Sequence, residues 1–214
     1  AWSMPTPQNT PLTPPSPDQN DETLSLWERA AGRGYVELAP GLRDYFSELP
    51  AGSIGVGDGV FDRVGTPRRW LWPALWIAGL LGIVWPCWET DVPFRVVNRP
   101  VEGDRAARRE FRFRSGSRFM VDRIAPGPDG TVVDRLGHGG LVSVRLRPTI
   151  VDAGLRLASE RVRLVGIPVP MRVDISEVAQ DGGGQRVDLV VSAAGIGRIY
   201  EYAGVFRYRI VAEG

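Results

Sequence analysis

The sequence predicts an α+β fold: a curved antiparallel sheet of about seven to nine strands, a half-barrel, wrapped around one apolar helix, with short helices on its N-terminal side. Residues 70–88, WLWPALWIAGLLGIVWPCW, hold five of the seven tryptophans and no charged side chain. From Val92 onward, short runs alternate apolar with polar residues and are separated by turn sequences. Arginines recur on the polar side of those runs, so the sheet has an apolar face that needs a cover. Five indole rings represent on the order of 20–30 kcal/mol of hydration cost, and the hydrophobic helix is the obvious cover.

Residues 1–20 contain six prolines and almost no apolar side chains, and read as a disordered tail ahead of a single domain over 21–214. Asp21 is placed to cap a helix from Glu22 to Ala31, with Leu24 and Trp27 on one face and Gly32 and Gly34 ending it. Pro40 to Leu49 reads as a second helix, with Leu42, Tyr45, Phe46 and Leu49 as its stripe. Ala51 to Val64 alternates like a strand. Its Gly55, Gly57 and Gly59 invite a dinucleotide-binding reading, but the spacing is GxGxG, no hydrophobic strand precedes it and VFDRV follows where a helix should open. A glycine-bearing strand beside something bulky fits better.

Thr66-Pro67 suits a helix start, although Pro73 then falls inside the helix. Ala74, Ala78 and Gly82 form a small-residue stripe, and Trp72, Trp76, Leu80 and Ile83 lie nearly opposite as a bulky one. A membrane span is the rival home for this segment. Between Pro73 and Pro86 only Ala74 to Trp85 run uninterrupted, about 18 Å of helix against a hydrocarbon core of ~30 Å.

The strands follow. Phe94 and Val96 mark the first, and Phe111 and Phe113 alternate with Arg112 and Arg114 in the next. Ser115-Gly116 turns into Arg118 to Ile124, and Asp129-Gly130 turns into Val132 to Leu136. Leu141 to Arg147, Leu155 to Val165, Met171 to Val178, Arg186 to Val191 and Ile199 to Val211 complete the set, with Gly182 to Gly184 as a hairpin loop.

The balance of 26 basic and 25 acidic residues leaves a net charge of +1, which removes the usual electrostatic argument for nucleic acid. Every basic residue is arginine, so Schiff-base and P-loop lysines are excluded. Cys87 is the single cysteine; it can form neither an intramolecular disulfide nor a zinc cluster. No cofactor, metal site or catalytic residue is expected. No apolar leader run opens the sequence, so the expected location is cytoplasmic, with contact to a membrane surface as a further expectation.

Among polar groups, His138 in LGHGG reads as a turn histidine. Tyr200, Glu201 and Tyr202 are the most interesting cluster: in a strand the tyrosines share one face and Glu201 takes the other. Asp174 and Glu177 fall on opposite faces of their strand. Arg108, Arg109, Arg112, Arg114, Arg118, Arg145, Arg147, Arg156, Arg161 and Arg163 read as a sheet face salt-bridged by Glu110, Asp122, Asp134 and Glu160.

Several segments in fixed order carry a resemblance: GLRDYF, a glycine-rich strand and an apolar helix, DVPFRV, REFRFRSGSRF, VGIPVPMRVDISEVA and a closing GIGRIYEYAGVFRYRI. Over roughly residues 35–214 the chain resembles the bacterial domain-of-unknown-function family 4166. The resemblance implies a stand-alone protein or an appendage of a Rossmann-type dehydrogenase-like domain, and it attaches no activity to any residue.

The function expected is therefore non-enzymatic: an apolar groove that takes a hydrophobic or lipid-like ligand, or a partner protein, at Trp72, Trp76, Leu80, Ile83, Tyr200, Glu201 and Tyr202. The alternatives are a membrane anchor through residues 70–88, an accessory domain of an oxidoreductase, and an enzyme that uses Glu201 or the tyrosines on an apolar small molecule.

Overall fold

The period-two alternation does more than build a covered sheet; it closes on itself. The computed structural model describes residues 24–214, and in it ten antiparallel strands form a closed barrel with two short extra strands. The strands are β1 (Ser53–Gly65), β2 (Trp88–Glu89), β3 (Val92–Val101), β4 (Asp104–Phe113), β5 (Gly116–Pro126), β6 (Val132–Leu136), β7 (Val142–Val151), β8 (Gly154–Leu164), β9 (Ile167–Val169), β10 (Met171–Gln180), β11 (Gly184–Ala193) and β12 (Gly197–Ala212). Neighbours in sequence are neighbours in the barrel from β3 to β8 and from β10 to β12. Closure comes from β12 on β1 and from β10 on β8, while β2 and β9 lie off the ring.

This corrects the expected α+β fold with a curved half-barrel sheet wrapped around a hydrophobic helix: the described chain is mostly β, a closed barrel with only short helices. Among the described residues no helix runs through the barrel, because side chains from the strands themselves converge on its axis. Phe61 of β1 stacks on Phe94 of β3 at 4.2 Å, and Phe111 of β4 and Tyr202 of β12 lie 5.6 and 5.3 Å from Phe61. The glycines of β1 serve the same packing. A methyl group on Gly57 would come within 2.7 Å of Val96 and 2.8 Å of Phe206, and one on Gly55 would overlap the Tyr208 phenol. Glycine is the residue that lets those rings cross the interior.

Two helices close one end. Ser25, not Asp21, caps α1 (Leu26–Ala31) in a reciprocal capping box with Glu28; Asp21, like the expected tail over 1–20, lies outside the described residues. Next comes α2 (Pro40–Phe46), which stops three residues short of the expected end. Trp27 meets Phe46 edge-on at 5.1 Å, Tyr45 meets Tyr208 at 4.8 Å, and the Arg105 guanidinium reaches from the barrel wall to the carbonyl oxygens of Tyr45 and Ser47.

The tryptophan segment lies across the other end. Its helix α3 (Trp72–Leu80) has only nine residues, with Pro73 in the first turn where a missing N–H costs nothing. Gly82, at φ +70°, ends it: the Gly82 N–H bonds the Gly79 carbonyl and the Ile83 N–H bonds the Ala78 carbonyl, both at 3.1 Å. Leu71, Leu75 and Trp85 turn inward, and Trp85 packs on Phe111 and Phe113 at 5.5 and 5.8 Å. The expected bulky stripe is split: Trp76 and Leu80 face out, exposed by 59 and 62 %, as does neighbouring Trp70, while Trp72 is half-buried and Ile83 turns inward. Among the described residues no helix is long and apolar enough to cross a membrane.

The ring has an irregular junction where β8 forks. Its first half pairs with β10 from Leu155 to Ala158, and its last residues, Val162 to Leu164, pair with β9 instead. At the fork the Ser159 hydroxyl accepts the Val173 N–H at 2.8 Å, replacing a ladder bond.

Candidate functional site

Strand alternation sends every second side chain inward, and between the helical ends these side chains leave a cavity of about 260 Å³. Towards α3 its lining is mainly apolar: Leu75, Ala78 and Ile83 from the overlying segment, with Leu136, Val142, Val162 and Met171 from the wall and Arg163 as the charged side chain at this end. Nearer the α1–α2 end the lining becomes polar, with Arg109, Asp134, Glu177, Tyr45 and Tyr202.

Arg109 of β4 is ion-paired with Asp122 of β5, whose carboxylate is fully enclosed. Asp134 of β6 lies diagonally beyond, since Asp122 pairs with Leu136 and Ile124 with Asp134. Burial opposes the charge on Arg109, but Asp122, Tyr45, Tyr202 and Asp134 together hold its pKa well above the usual arginine value. Burial raises both aspartates, Asp134 far more because the Asp122 charge adds to it. The ion pair is therefore Arg109 with Asp122, while burial and the Asp122 charge hold the Asp134 carboxyl well above the usual carboxylate range. One oxygen of each, Asp122 Oδ2 and Asp134 Oδ1, is buried without a hydrogen-bond partner.

Glu177 of β10 completes the set. Burial pushes its carboxyl up to about 7, against the opposing effects of the hydrogen bond from Gln185 Nε2, 2.5 Å long, and the charge of Arg109. Burial likewise raises Tyr45 to about 12 and drives Tyr202 higher still.

The expected site residues are dispersed. Ile83, Tyr200 and Tyr202 line the cavity. Trp76 and Leu80 border a separate surface groove with Trp85, Phe113 and Arg118. Trp72 is half-buried; its indole Nε1 donates to the Thr66 carbonyl at 3.4 Å, and the Arg69 guanidinium lies 5.5 Å from its ring. Glu201 faces away from the tyrosines, in ion pairs with Arg198 at 2.6 Å and Arg63 at 3.5 Å. His138 sits beneath the end of α3, its backbone N–H and ring Nδ1 each 3.2 Å from the Leu81 carbonyl oxygen. Burial raises the Cys87 thiol to about 12. Among the described residues no three His, Cys, Asp or Glu side chains are grouped to hold a metal ion.

The polar cluster was absent from the sequence reading, which put Arg109, Asp122 and Asp134 on a solvated face. Phase was the available signal. Arg109 is two residues from Phe111, Asp122 lies between Met120 and Ile124, Asp134 lies between Val132 and Leu136, and Glu177 lies between Ile175 and Ala179. Each charge stands where its strand is otherwise apolar.

Against known proteins, a family model described as "Domain of unknown function (DUF4166)" matches residues 38–206. No curated protein matches the chain. Among solved structures, the crystal structure of Rv2717c from M. tuberculosis is similar at 16% identity, with 80% of this chain and 99% of that chain covered and a TM-score of 0.45.

Proposed function

The chain belongs to the DUF4166 family, and from that premise we propose that its barrel binds a small, mainly apolar molecule carrying a hydrogen-bond-donating group. The observation that carries this reading is an apolar cavity at whose inner end a buried carboxyl group, Asp134, turns an unpartnered oxygen among the lining side chains. An unsatisfied buried acceptor costs about 1–3 kcal/mol, and a ligand O–H or N–H placed there would recover it. The volume of about 260 Å³ exceeds the ~150 Å³ that holds benzene and falls just short of the ~300–1,000 Å³ of most ligand pockets. A compact ligand fits, with its polar end at Asp134 and Glu177 and its apolar body towards α3. Asp122 already neutralises Arg109, which disfavours an anionic ligand head beside the remaining carboxyls.

The test uses 1-aminoanthracene, whose fused apolar rings bear one amino group, together with native mass spectrometry for a co-purified molecule. The probe should fluoresce on binding the purified protein, and Val144→Trp, which fills the cavity, should weaken it by about tenfold or more. Probe binding that Val144→Trp leaves unchanged, in a variant that still unfolds cooperatively, overturns the reading.

A further inference from the structure

We propose that the α3 end of the barrel docks on an anionic membrane surface, independently of what the interior holds. The exposed face of this end is apolar out of proportion to the rest of the molecule: Trp70, Trp76, Ile77 and Leu80 from the α3 segment, with Val165 and Ile167 from the β8–β9 turn. Isolated exposed apolar residues need no explanation, but several at one end mark a contact surface. Aromatic and aliphatic side chains beside arginine are the chemistry of a bilayer interface.

Charge selects the occupant. The connections at this end include 66–87, 90–91, 114–115, 137–141, 165–166 and 194–196, and the one carboxylate among them is Asp91, with Glu89 of β2 beside it. They contribute Arg68, Arg69 and Arg114, with Arg118 just inside β5. Among the described residues none of these arginine side chains is in an ion pair. Arg68 donates to the Ile196 carbonyl, Arg69 lies over Trp72, and Arg118 borders the groove with Trp76 and Leu80.

The opposite end is the reverse. Each of its hairpin turns, 102–103, 127–131, 152–153 and 181–183, carries one acid and no base: Glu102, Asp129, Asp152 and Asp181. A protein near zero net charge thus has a cationic, apolar end and an acidic end, and an anionic surface attracts the first while repelling the second. A complementary protein surface would need no such separation along the barrel axis. Docked this way, the apolar end of the cavity opens towards the lipid.

The whole chain is mixed with vesicles of phosphatidylcholine alone, or of phosphatidylcholine with phosphatidylglycerol, and binding is read by co-sedimentation and by quenching of tryptophan fluorescence with brominated phosphatidylcholine. Binding should appear with the anionic vesicles, weaken as salt is raised, and be accompanied by quenching. Arg68→Ser and Arg69→Ser should each lower partitioning about fivefold, and Trp76→Ser with Leu80→Ser by about tenfold. Both pairs of positions are on the surface, and cooperative unfolding of each variant verifies its fold. No binding to anionic vesicles, equal binding to neutral ones, or binding unchanged in the Trp76/Leu80 variant overturns the proposal. So does sedimentation showing that the exposed face joins two copies of the chain, with Trp76→Ser dissolving that dimer and no vesicle binding.

Discussion

Glu177 combines a carboxyl group with a site that resists ionisation, and the consequence has a definite sign. In the unfolded chain it titrates near 4.5, and in the barrel burial raises it to about 7. Between those values the folded state holds a proton that the unfolded chain has released. Its contribution to stability is therefore fully present below about pH 4.5 and is lost as the pH rises through about 7, a change of at most about 3 kcal/mol. Asp134 acts in the same direction. Glu177→Gln keeps an acceptor for Gln185 and removes the titration, so urea unfolding at pH 5.5 and pH 8 should show a smaller loss of stability at the higher pH than the parent shows; an equal loss would contradict the assignment. Arg109→Leu should cost about 3–5 kcal/mol, because it strands a buried charge on Asp122. Adding Asp122→Leu should return part of that in denaturant titrations. None of these roles was visible in the sequence as a motif. A charged residue in phase with apolar neighbours is the sole trace, and it looks the same as a register slip until the strand pairing is known.

Among the elements, β1 is the one whose composition explains its neighbours. Gly57→Ala would press on Val96 and Phe206, and the expected cost is about 1–3 kcal/mol. Gly59→Ala should cost more, because its methyl would meet the Val205 carbonyl, and backbone yields less than a side chain. Gly41→Ala in α2 has room, 3.5 Å from Ala179, and should be neutral or mildly stabilising. Thermal unfolding of the three variants checks the order. The strand character of β1, the stripe of α2, the turn at Asp129-Gly130 and, one residue off, the turns expected at Ser115-Gly116 and Gly182–Gly184 (found at 114–115 and 181–183) were legible, because each rests on local rules of periodicity and turn chemistry. The position of α3 was not. Its hydrophobicity demanded shelter, but Pro73, Pro86 and Gly82 limit it to nine helical residues, and the rings of β1, β3, β4 and β12 had already claimed the interior. An inward-facing strand position reads the same in a half-barrel as in a closed one, so closure left no mark in the pattern.

Taken whole, the molecule is a tube with unlike stoppers. At one end Arg105 ties α2 to the wall through two carbonyl oxygens. At the other, α3 is held through the turn after it, by His138 to Leu81 and by Thr66 to Cys87. Amide exchange should accordingly be faster over 72–84 than over 38–46, read by mass spectrometry after peptide digestion; the opposite order would place the mobile end elsewhere. The pairing of β1 with β12, which runs from Ser53 on Ala212 to Gly65 on Glu201, also sets a timetable. While the chain is being made, β1 has one edge on β3 and must keep the other bare until the final strand leaves the ribosome. Its unpaired amides and carbonyls wait through the synthesis of nearly all the intervening strands, so interruption of translation before β12 would release an open, adhesive ribbon in place of a tube.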